Sequence, residues 1–215
     1  MATAGQITNA ESLGEAQHRL LRSPDHSDLT VVCKGRIWKC QRAILTQRCK
    51  FIKAACGGPF KEAETQTIKL DDDRPDGVNV MLLYLYTLEV PDLSNKDVSP
   101  HEFTGEEQCF VLGDKYNLPI LKEHGQSQLL QNVRDNLALW STCSDQIKLN
   151  WINWLSRMWR WEQGGSEKIR GGAIEALMKI SVSIIEHEAF QKLLKDNEDF
   201  NMAFLRALAK KATSK

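Results

Sequence analysis

Two short β-branched and aromatic segments, Leu29–Cys33 and Ile37–Cys40, flank Lys34-Gly35-Arg36. Such segments around a glycine turn read as a β-hairpin. The period of the apolar residues then changes from two to about 3.6. Leu45, Cys49, Ile52 and Cys56 recur at i, i+4, i+7 and i+11, one face of a helix, and Gly57-Gly58-Pro59 stops it. Thr67–Leu70 reads as another short strand. Asp71-Asp72-Asp73 ahead of Pro75 offers N-capping oxygens and a first-turn proline to a helix running to about Tyr86. The three aspartates also suggest a metal site, but no further ligand lies nearby in sequence, so capping is the preferred reading. The stretch Ser27–Val90 therefore calls for an α/β arrangement of the α+β kind: a small sheet of about three strands with a cluster of helices.

Around this stretch the chain is largely helical in pattern. Glu11–Arg22 reads as a short helix with Leu13, Ala16, Gln17 and Leu20 near one face, ended by Ser23-Pro24-Asp25. So small a stripe is not stable alone and must dock on this chain or on a partner. Residues 1–10 and Pro91–Phe103 are polar and read as loose or looped. Gly105–Asn117 and Pro119–Val133 form two helical segments separated at Leu118-Pro119. Beyond about Asn136 the pattern is all-helical. Trp151, Trp154, Leu155, Met158 and Trp159 fall on one side of a helix, and Asn153, Ser156, Arg157 and Arg160 on the other. Gly164-Gly165 and Gly171-Gly172 bracket a polar link, followed by helical segments at Ala173–Leu194 and Glu198–Lys211. This divides the chain into a tail and short helix (1–22), a mixed domain (23–135) and a helical extension (136–215).

Charge and cysteine usage narrow the function classes. Lys+Arg and Asp+Glu both number 28, so no global field draws the chain to nucleic acid or to a membrane. Hydrophobic residues at 42% provide for a core, and no apolar run reaches the length of a membrane helix. The six cysteines form no CxxC pair, so reduced, mostly buried thiols are expected, with no metal or other cofactor, in a cytoplasmic or nuclear protein. His18, His26, His101, His124 and His187 are scattered, and no Gly-x-Ser-x-Gly, Walker or Rossmann signature occurs. No catalytic residue is assigned; Cys49 or Cys143 beside a histidine is kept only for contrast.

Five short motifs follow one another in order. They are Ser27-Asp28-Leu29 before a hydrophobic strand, Gln41-Arg42-Ala43-Ile44-Leu45, Cys49-Lys50-Phe51-Ile52, Leu82-Leu83-Tyr84-Leu85-Tyr86-Thr87, and Leu112-Gly113-Asp114-Lys115-Tyr116-Asn117-Leu118. Together they resemble the BTB/POZ family over roughly residues 20–135. The departures are Gln41 for the family's histidine, Cys49 for its serine and Gly113 for its alanine. With Ala54-Ala55-Cys56 and the tryptophan-rich tail, the pattern looks most like fungal BTB proteins.

The resemblance implies the BTB/POZ fold and a protein-interaction role. In the family a hydrophobic-x-acid element contributes to cullin docking, and Phe60-Lys61-Glu62 occupies that place. Phe60 would give area and Glu62 orientation; the alternative is a core phenylalanine beside a solvated charge. Asp28 and Arg42 fall where many BTB dimers hold a charge pair, which can set register, or they make an ordinary intrachain contact. Leu13 and Leu20 would supply the helix used in a homodimer. The tryptophan stripe is either a partner groove or, as such stripes more often are, core. The favoured function is an adaptor linking a cullin-type ubiquitin-ligase scaffold to an unidentified substrate. The alternative is a self-associating scaffold in transcriptional or signalling regulation without a ligase role.

Overall fold

A computed structural model describes residues 13–90, 105–162 and 166–213. These divide into two compact units, one taking in 13–90 and 108–122, the other 105–107, 123–162 and 166–213. The first unit begins α1 (Leu13–Arg22), β1 (Leu29–Cys33), β2 (Arg36–Cys40), α2 (Arg42–Arg48), α3 (Lys50–Gly57), α4 (Lys61–Thr65), β3 (Thr67–Lys69), α5 (Pro75–Thr87). The division between units falls within α6 (Gly105–Lys115) and α7 (Pro119–Ala138). The second unit continues with α8 (Asp145–Trp159), α9 (Ser166–Lys179), α10 (Ser181–Ile185), α11 (Glu188–Asp196) and α12 (Glu198–Thr213). The fold class is thus α+β, a three-stranded sheet among helices followed by an all-helical region.

β1 is the central strand, antiparallel to β2 and parallel to β3. Its alternate residues Leu29, Val31 and Cys33 are buried, as are Trp38 and Cys40 of β2. The hairpin turn is the pair Lys34 (φ 46°) and Gly35 (φ 85°), both left-handed as a tight primed turn requires, and Arg36 already belongs to β2. A parallel neighbour needs a crossover, and α2, α3 and α4 form it between β2 and β3. α5 lies in the middle of the unit, with Val78, Met81, Leu82, Tyr84, Leu85 and Tyr86 all buried. α1 packs on α5 and β2, so it docks on its own chain. Its inward residue is Leu21, four after Gln17; Leu20, expected on that face, is 37% exposed.

Several expectations are corrected. The helix read through Leu45, Cys49, Ile52 and Cys56 is two helices, because Cys49 is extended (φ −134°, ψ 113°) between α2 and α3. All four side chains are nevertheless buried, which is why the periodicity looked continuous. The aspartates do not cap α5: its N-cap is Arg74, without a side-chain cap bond, while Pro75 does stand in the first turn. Asp73 is instead buried, and Asp71 accepts the Lys34 N–H at 2.8 Å. α4 was not foreseen. Residues 1–10, Pro91–Phe103 and Gly164-Gly165 lie outside the described residues.

In the second unit Gly171-Gly172 is no link but the middle of α9. At Gly172 the Leu130 side chain lies close over the backbone of α9, in the space a Cβ would take. The segment Ala173–Leu194 is broken into α9, α10 and α11. The tryptophan stripe is core. Trp154, Leu155, Met158 and Trp159 are buried and Trp151 is half-buried, with the Trp151 and Trp154 rings meeting edge to face at 5.1 Å. Trp159 meets Phe200 at 4.8 Å, which seats α8 on α12. Arg157, assigned to the solvent side, reaches back to within 4.0 Å of the fully buried Glu107, which also accepts the Trp154 indole N–H.

Candidate protein-docking groove

α3 ends at Gly57 because Gly58 and Pro59 cannot extend it, and the chain turns into α4 and then β3. The turn leaves a groove of about 280 Å³ lined by Phe51, Ala54, Ala55, Phe60, Glu62, Ile68 and Lys69. A Cβ on Gly58 would lie 2.6 Å from two carbons of the Phe60 ring, so the bare backbone at Gly58 lets that ring fold back along the groove. Phe60 is 52% exposed and Phe51 44%. The reading of Phe60 as a core residue is thereby excluded. Glu62, half-buried in the first turn of α4, sets a carboxylate beside the two rings. Each ring offers about 1–2 kcal/mol of further apolar burial to an incoming side chain.

The groove stands on a polar support that local sequence reading missed. The Phe51 ring meets the buried Tyr116 ring edge to face at 5.0 Å. The Tyr116 hydroxyl donates to Asp73, whose other oxygen accepts Lys115 Nζ at 2.7 Å. Burial, then the bond to Asp73 and the charge of that carboxylate, push the Tyr116 phenol far above its ordinary value. Cys49, just ahead of α3, is held protonated chiefly by burial, although the N–H groups of Ile52 and Phe51 pull the other way. Gln41 takes up the polar work at its own position. Its N–H donates to the Tyr86 hydroxyl at 2.8 Å, its side-chain oxygen accepts from that hydroxyl, and its Nε2 donates to the Asp25 carbonyl at 3.1 Å. Motif residues thus tie separate parts of the unit: Gln41 to Tyr86, Tyr116 and Lys115 to Asp73, and Asp114 to Lys122 Nζ at 2.7 Å.

The BTB/POZ domain family model matches residues 18–132, more than half of the chain. The chain belongs to the BTB/POZ domain family. Among curated proteins it is similar to BTB/POZ domain-containing protein 9 of Bos taurus and of Homo sapiens, each 26% identical over 135 residues. The matched region is 60% of this chain and 21% of those proteins, so the chain spans about a fifth of the length of these relatives. A BTB/POZ domain is a protein-interaction domain, which is the role the exposed groove suits.

The other residues assigned a role in this BTB/POZ domain are not among those lining the groove. Asp28 and Arg42 are adjacent and both exposed. The Asp28 carboxylate accepts the Arg42 backbone N–H at 2.6 Å, at the first turn of α2, while the Arg42 guanidinium reaches Gln66 Oε1 at 3.5 Å. Within one chain they are therefore joined through a helix start and not as a charge pair. Leu20 presents part of its side chain to solvent from α1; the side chain of Leu13 lies outside those described. The structure brings Phe60 and Glu62 together and adds Phe51, Ala54 and Ile68. Phe51 sat inside a quoted motif, yet its position on the groove follows only from the pairing of α3 with α4 and β3. Among the described residues no group of His, Cys, Asp and Glu could hold a metal ion, and no helix is long and apolar enough to cross a membrane.

Proposed function

We propose that this chain is an adaptor whose BTB/POZ domain docks a cullin-type ubiquitin-ligase scaffold on the Phe51–Phe60–Glu62 groove, while the C-terminal helices hold or shape a substrate site. The observation that carries this reading is the exposure of Phe60 beside Glu62 in a concave apolar surface. An apolar anchor with a flanking carboxylate is what a helix of another protein needs for area and orientation. Domain limits of 23–135 for the BTB/POZ domain and 136–215 for the extension, and work in the cytoplasm or nucleus, accompany it. The kinship with fungal BTB proteins rests on Ala54-Ala55-Cys56 and the tryptophan-rich tail, and the relatives named above are mammalian.

The test is capture of purified cullin by the full chain. Phe60→Ala together with Glu62→Lys should lower capture at least about tenfold, with helicity unchanged because neither side chain is part of the buried core. Undiminished capture would sink the proposal. The second reading, a self-associating BTB scaffold in transcriptional or signalling regulation, drops the ligase role and keeps a homodimer through Leu13, Leu20, Asp28 and Arg42. It is favoured by the exposure of Asp28 and Arg42, and loss of cullin capture in the double variant separates the two.

A further inference from the structure

The inner face of α12 is fully committed: Phe200 and Phe204 are buried against Phe190, and Phe200 against Trp159. Its outer face carries a second, narrower apolar stripe. Met202 is 44% exposed and Leu205 50%, and with Glu198 before them and Ala209 after they fall at spacings of four, three and four. That is the seam spacing of a coiled coil. Asp199 and Arg206, one heptad apart and both exposed, flank this seam on the same side.

We propose that α12 pairs antiparallel with α12 of a second copy of this chain. A two-fold axis between Met202 and Leu205 sets Met202 against Leu205 of the partner subunit, and the reverse. In the same register Asp199 comes opposite Arg206 of the partner subunit and Arg206 opposite the partner subunit's Asp199, both on the same flank of the seam. Ala209 is small enough to take the aliphatic stem of the partner subunit's Glu198. An acidic start and a basic end suit any single helix, but the apolar pair exposed between them is what turns that polarity into a self-complementary surface. A parallel pairing would set the two copies of this charged edge on opposite flanks, Arg206 facing Asn201 of the partner subunit, and form neither charge pair, so the charges select the antiparallel arrangement. The helix is about 24 Å long, which makes this a weak, concentration-driven association.

Sedimentation velocity of the full chain between about 1 and 200 μM reads it. The wild type should show a mass step with rising concentration that Met202→Glu with Leu205→Glu removes; association through any other face is common to both and cancels. Asp199→Arg alone and Arg206→Asp alone should each weaken the step at least about tenfold. Combined in one chain, the two changes should restore it, because the exchanged charges again meet their opposites across the axis. Circular dichroism checks that each variant stays helical. Wild type and the double-glutamate variant sedimenting identically throughout would overturn the proposal, as would failure of the combined charge exchange to recover the step.

Discussion

At the scale of single residues, Gly113 shows how a departure from a family pattern carries physical content. A Cβ there would lie 2.5 Å from Lys122 N and 2.7 Å from Lys122 Cα, backbone atoms that cannot rotate away. The alanine that the BTB/POZ pattern has at this place therefore requires the start of α7 to sit farther from α6 than it does here. Gly113→Ala should destabilise the protein by about 1–3 kcal/mol, the usual cost of overpacking, measured by urea unfolding; an alanine variant as stable as the parent would contradict the close approach. Phe60 teaches the complementary point. Its motif was legible in the sequence, but the place of its ring was not: the ring lies against Gly58, where a Cβ would come within 2.6 Å of two of its carbons.

At the scale of elements, the strands and most helix limits were legible because each depends on neighbours close in sequence: alternation in β1, Gly35 in the turn, Gly58 and Pro59 after α3. What escaped depends on distant partners. Asp73 looked like a capping residue, yet Lys115 and Tyr116, some forty positions onward, claim its carboxylate and tie the start of α5 to the end of α6. The two readings differ in outcome. Capping would make the aspartates nearly interchangeable. The observed bonds predict that Asp73→Asn costs about 2–3 kcal/mol in chemical unfolding, whereas exposed Asp72→Asn changes stability by less than about 0.5 kcal/mol. Equal effects at the two positions would count against the tie. The same dependence on distant groups hid Glu107, whose burial with Trp154 and Arg157 no local pattern announces.

At the scale of the molecule, the first unit holds the thiols of Cys33, Cys40, Cys49 and Cys56 and its three phenols in their neutral forms. Burial lifts the Cys40 thiol from its usual value near 9 to about 12, partly offset by a bond from Tyr86. Cys33, Cys49 and Cys56 are raised by burial first, and so are Tyr84, Tyr86 and Tyr116. An acid whose folded value is raised contributes its stability in full below the unfolded value and loses it above, since the unfolded chain then releases a proton that the folded chain keeps. Stability should therefore fall from about pH 9 upward, by up to about 1.4 kcal/mol per pH unit for the Cys40 thiol. Urea unfolding at pH 8, 9, 10 and 11 measures it, and Cys40→Val should make the fall shallower; a flat profile would contradict the burial of these groups.

The placement of the aromatic residues has a spectroscopic consequence. All three tyrosines, Tyr84, Tyr86 and Tyr116, belong to the first unit, while Trp140, Trp151, Trp154, Trp159 and Trp161 belong to the second and leave Trp38 alone in the first. Phenolate absorbance in alkali thus follows one half of the chain and indole emission chiefly the other. With Trp38 replaced by phenylalanine, the two signals become separate optical channels, one for each unit, read from the same unlabelled sample.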